Sequence, residues 1–280
     1  TLSGTITYTG VSTISAGTLS ISADAGLGSI SSLDADRLTF NGGTLLITET
    51  ITLNTNRGIT LTGNGTINVA NTKTVTYDGV ITGEGQFTKD GNGTLDLGGT
   101  NTYTGATDIN DGELNVTGAL AATAVTVASG ATYDSDTTDT IGSIAGAGNI
   151  EINTGTTLTV GGDDSSTTFS GVISGSGNLT KEGSGTLTLS GTNINTGTLT
   201  VDEGGLTLDQ AATNTGTVLH DDSNLTLTAG AITVSDTSET VYQFTYNGGT
   251  VTGQIISTAG YSYFVDTGLT TTIASILYGD

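Results

Sequence analysis

Along most of this chain, apolar residues occupy every second position in short runs, and Gly, Asn or Asp closes each run. Leu95 and Leu97, Ile109, then Leu114 and Val116 form one such series; Leu187 and Leu189, Val201, then Leu206 and Leu208 form another. Period-two runs of this length, cut by turn residues, predict short strands with one buried face. Helix signals are absent from both series. The series also repeat. Tyr77 to Val116 recurs as Phe169 to Leu208, without a gap, at an offset of 92 residues and with roughly half the positions identical. Gly4 to Ile21 matches Gly99 to Val116 as a partial third copy. A fixed internal period of this size is the signature of a repeat architecture. Because the chain opens inside a repeat, on Thr1, it is expected to be a piece of a longer polypeptide.

Short strands joined by tight turns can build hairpins and sandwiches, but a long unit of many similar strands stacks more naturally as rungs of a parallel coil. Each rung then buries its Leu, Ile and Val against the next, while Thr and Asn form ladders along the faces. At roughly 20 residues a rung, the chain makes on the order of 12–14 rungs, about 55–65 Å at ~4.8 Å each. The fold class expected is all-β, a parallel β-helix over residues 1–239 followed by a distinct segment, 240–280. The total absence of Pro fits, since interior strands need every backbone N–H.

Composition sharpens this picture. Hydrophobic residues make up only 34% of the 280 and Gly numbers 44, which suits a thin core fed by many short strands. Net charge is −22, with five Lys and Arg scattered along the chain, so no nucleic-acid partner is expected and anionic membrane surfaces are disfavoured. No apolar run approaches the ~20 residues of a membrane helix. Absence of Cys removes disulfides and thiolate metal sites.

Chemistry has few candidates. The single His, His220, stands in LHDDSN beside Asp221, Asp222 and Ser223, and neighbours on a turn do not converge as a catalytic triad does. No catalytic or cofactor-binding residue is therefore assigned. Enzymatic β-helices that cleave acidic polysaccharides use basic residues, and here the only Arg are Arg37 and Arg57, inside strand-and-turn repeats. Oxygen-rich turns at Asp108–Gly112, Asp134–Asp139, Gly161–Asp164 and His220–Asp222 leave calcium open as a ligand, although none matches a known calcium loop. Residues 240–280 hold seven of the fourteen aromatics. Tyr242, Phe244 and Tyr246 alternate and so are expected on one strand face; Tyr261, Tyr263, Phe264 and Tyr278 follow. These close the core as a terminal rung or cap, or they form a contact surface for a second subunit or partner.

GVITGEGQFTKDGNGTLDLGGTNTYTGATDINDGELNV and GVISGSGNLTKEGSGTLTLSGTNINTGTLTVDEGGLTL both resemble the autotransporter-associated β-strand repeat. Lys89 and Lys181 occupy its Lys position and Tyr103 its Tyr position, whereas the second copy departs with Asn195 for the Tyr and Val201 where Ile109 sits. The likeness covers most of residues 1–208. It implies a right-handed parallel β-helix in the secreted passenger of a bacterial surface protein, extracellular and acting as a stalk or adhesin, with host or surface glycans or proteins as partners. The repeat brings no catalytic residues. The alternative expectation is a subunit of a self-assembling fibre or surface layer, motivated by sticky open rung ends.

Overall fold

The computed structural model describes residues 6–120, 122–209, 218–235, 238–259 and, for the backbone alone, 262–265. The fold is all-β with parallel pairing, a solenoid of about 11 turns. The chain divides into two units, residues 1–140 and 141–280.

In the first unit three stacks of parallel strands surround one core. One contains Thr18–Ile21, Thr44–Ile47, Gly65–Val69, Phe87–Asp90, Thr107–Ile109 and Ala124–Val127. A second contains Thr74–Tyr77, Thr94–Leu97, Glu113–Val116 and Thr132–Ser135, and a third Ser12–Ile14, Asp34–Phe40, Arg57–Leu61 and Ile81–Gly83. Registers align like with like: Val75, Leu95, Leu114 and Tyr133 form one buried column. Just after the first, partial repeat the chain makes a 3-10 turn, Asp24–Leu27.

The second unit repeats the arrangement. Thr157–Val160, Asn178–Lys181, Thr198–Val201, Asn224–Leu227 and Gln243–Tyr246 stack in order. Outward, Thr159, Thr180, Thr200, Thr226 and Thr245 stand directly over one another, the expected Thr ladder. Turn length varies, from 18 residues between Ile109 and Val127 to 26 between Leu199 and Leu225, and the longer turns leave about 11 in place of the expected 12–14. Leu19 pairs with Leu45, 26 residues on, because the 3-10 turn is accommodated between them. At its far end parallel stacking stops: Ser262–Val265 pairs antiparallel with Gly253–Ile256.

Candidate functional site

The aromatic segment does not assemble as the alternation predicted. Phe244 points into the core and Tyr246 is half-buried, its hydroxyl donating to the Gly249 carbonyl at 2.8 Å. Tyr242 lies outside the strand, on the bend before Gln243, and is 51% exposed. The three therefore do not share a face, because the bend breaks the period. Tyr263 and Phe264 lie on the antiparallel strand; Tyr261 and Tyr278 fall outside the described residues.

Sequence reasoning missed where the cations go. Lys89 belongs to the inward column Leu45, Ile67, Lys89, Ile109, Val127, and Lys181 to Val160, Lys181, Val201, Leu227. Both are fully buried. Lys89 Nζ donates to the carbonyls of Asp90 (3.2 Å), Gly91 (2.7 Å) and Asp111 (2.9 Å). Lys181 Nζ repeats the pattern on Glu182 (2.6 Å), Gly183 (2.8 Å) and Glu203 (3.4 Å). Three donors meet three carbonyls at the corner of the coil. Gly91 and Gly183 supply the middle carbonyl from left-handed backbone, φ 76° and 69°, which a side chain would strain. Burial lowers the Lys89 pKa to about 8, with the negative fields of Asp90, Asp111 and Glu113 opposing it, and lowers that of Lys181 for the same first reason. The signal was present in sequence: each Lys falls on an inward position of its alternating strand.

The arginines are equally internal. Arg57 forms an ion pair with Asp24 at 3.0 Å and donates to the Leu27 and Gly28 carbonyls at 2.7 and 2.9 Å. Arg37 binds the carbonyls of Thr9, Tyr8 and Ser29. Lys73 alone reaches the surface, where it pairs with Glu49 at 2.7 Å. Four of the five Lys and Arg side chains are thus turned into the coil.

A second internal device is a buried acceptor that joins a strand on one turn to a loop on the next. Asn101 Oδ1 accepts the Ile81 N–H at 3.0 Å, and Asn193 Oδ1 accepts that of Ile173 at the same distance. Asp139 does this for Leu120 at 2.7 Å. Glu239 does it for Val218 and Leu219 at 3.0 and 2.9 Å. Burial raises the Glu239 pKa to about 7 and raises that of Asp139. These buried Asn side chains satisfy backbone groups rather than one another. On the outside, Asn64 donates to Gln86, and Gln86 to Asp108, rung over rung.

His220 sits on a turn. Its Nδ1 accepts the Asp222 N–H at 3.1 Å, and its carbonyl accepts the Ser223 hydroxyl at 2.6 Å. Ser223 thus faces the backbone rather than the imidazole, and no nucleophile–base pair forms. Between this turn and the loop carrying Asn193 and Ile194 lies a groove of about 440 Å³, lined also by Leu219, His220, Asp221 and Asp222. Beneath it is a smaller apolar cavity, about 20 Å³ for the centre of a water-sized sphere, bounded by Leu179, Asn195 and Leu199 among others. In the first copy the corresponding positions are Phe87, Tyr103 and Thr107, with the two rings 5.7 Å apart and the Tyr103 hydroxyl 2.6 Å from the Thr107 hydroxyl. The second copy has lost both rings.

Of the acidic turns, Asp163 accepts from Ser143 at 2.6 Å and Asp164 accepts the Ser184 N–H at 2.7 Å, so these carboxylates bridge rungs. Among the described residues no three His, Asp or Glu side chains come together to hold a metal ion.

Three segments, residues 1–21, 87–116 and 179–208, match the Passenger-associated-transport-repeat family. The "Adhesin BmaC autotransporter" of Brucella suis biovar 1 (strain 1330) is 38% identical over 123 residues, 44% of this chain. That stretch amounts to 3% of the adhesin's own length. No solved structure matches. The second and third of these segments contain Lys89 and Lys181.

Proposed function

We propose that this chain, which carries passenger-associated transport repeats, is a non-catalytic, adhesive segment of a bacterial surface passenger, displayed outside the cell. The observation that carries the reading is the repeat itself. Its most distinctive side chains, Lys89, Lys181 and Asn101, are spent on backbone carbonyls and N–H groups inside the coil. The repeat builds scaffold and leaves its faces to contact partners. Similarity to an adhesin supports the adhesive role. Burial of the basic side chains argues against processing of acidic polysaccharides.

Beads coated with the purified chain are expected to bind host epithelial cells or immobilised matrix glycoproteins several-fold above albumin-coated beads. Equal binding would remove the adhesive role. Negative-stain microscopy across a concentration series serves as the companion measurement, and discrete particles are expected throughout. Filaments that lengthen with concentration would replace the passenger reading with that of a self-assembling fibre.

A further inference from the structure

We propose that the groove between Asn193–Ile194 and Leu219–Asp222 is a binding site for one neutral saccharide residue of a glycan. The inference deepens the adhesive reading above and rests on it for its biological setting, though not for its chemistry.

The floor of the groove offers a buried donor. Both copies of the repeat hold their loop Asn in the same way, through the Ile81 or Ile173 N–H on Oδ1 and a bond from Nδ2 to the carbonyl two residues before it. In the first copy Nδ2 makes a second bond, to the Ala119 carbonyl at 2.9 Å. In the second, Val218 stands in that place and its carbonyl takes only the Asn193 backbone N–H, at 2.8 Å. The second amide hydrogen of Asn193 has no acceptor among the described residues, yet Asn193 is only 4% exposed and lines the groove. A buried amide hydrogen without an acceptor costs stability unless something supplies one.

The walls offer the complementary chemistry. Asp222, with its side chain 77% exposed, and Asp221 present carboxylates that only accept. Ile194, 52% exposed, is a large apolar side chain left facing solvent beside them. A ligand must therefore accept at the floor, donate at the wall and lay an apolar face on Ile194. Sugar hydroxyls both donate and accept, and a pyranose ring has an apolar C–H face. An arginine or lysine side chain has no acceptor for Asn193. Acidic sugars and phosphates are disfavoured, since the wall is anionic and the chain's cations are buried or paired elsewhere. The volume, about 440 Å³, lies in the range of small-ligand sites.

The test is saturation-transfer NMR on the whole chain with galactose, glucose, mannose, N-acetylglucosamine, glucuronate and arginine amide as separate probes. Transfer to at least one neutral hexose or N-acetylhexosamine is expected, with none to glucuronate. Asp221→Asn with Asp222→Asn, and separately Ile194→Ser, should each weaken that binding about tenfold or more. Both changes are at the surface and leave the core intact. Asn193→Asp keeps the acceptor for Ile173 and removes the donor, as Asp139 does naturally for Leu120 from the start of its strand, and is expected to weaken binding similarly. Glu84→Gln with Glu151→Gln makes the same change in net charge at exposed sites elsewhere and should leave binding unaltered. Absence of transfer to every neutral sugar, transfer to arginine amide alone, or binding indifferent to the groove variants would each overturn the proposal. Bead adhesion that persists with no sugar binding would sink this site while sparing the adhesive reading. Sugar binding without bead adhesion would do the reverse.

Discussion

A single lysine side chain shows how this fold treats charge. Lys89 occupies a place in a column of Leu, Ile and Val, which is costly for an ammonium unless its donors are met. Here three carbonyls meet them. Lys89→Met keeps the stem and abandons those carbonyls, so it is expected to cost about 1–3 kcal/mol in urea unfolding. Tyr103 is the opposite case, a ring that fills space. Tyr103→Asn imports the residue of the second copy without its companion changes at Leu179 and Leu199. It should cost about 3–5 kcal/mol, the usual price of deleting a buried ring. A loss below about 1 kcal/mol in equilibrium unfolding would show that the neighbours refill the space.

At the scale of the strand and its loop, the buried acceptors couple folding to pH. Glu239 has its pKa raised by burial from 4.5 to about 7, so between those values the folded chain holds a proton that the unfolded chain has released. Stability from this group is complete below pH 4.5 and is lost as pH rises through 7, a swing of order 3 kcal/mol. Asp139 and Asp108 shift in the same direction through burial. Melting temperature is expected to fall from pH 5 to pH 7.5, and Glu239→Gln to flatten that slope while keeping one carbonyl acceptor for the loop. The strands themselves were legible because alternation survives even where the turn length varies: Thr94–Leu97 and Thr186–Leu189 read directly as half-buried. The groove was not legible. His220 stood out in sequence, but Ile194 gave no signal, and the unsatisfied hydrogen of Asn193 emerges only by comparing two loops bond for bond. The bend at Tyr242 was hidden for a related reason, since alternation cannot announce where a strand stops.

For the molecule as a whole, 27 acidic residues face five basic ones, four of them drawn inside. Self-repulsion on such a surface is screened by salt, as the Debye length shrinks from about 30 Å at 0.01 M to about 10 Å at 0.1 M. Melting temperature should therefore rise over that range of sodium chloride. A chelator, by contrast, is expected to leave it unchanged, and a drop on adding EDTA would reveal a structural calcium ion. The internal cations carry one further consequence, for digestion. Trypsin must take a Lys or Arg side chain into its own pocket, and folded protein presents it with little besides Lys73, already held by Glu49. Arg37, Arg57, Lys89 and Lys181 become cleavable only when the coil around them opens. The folded chain is protected by the location of its own cleavage sites, and the rate at which fragments ending at Lys89 or Lys181 appear becomes a clock for that opening.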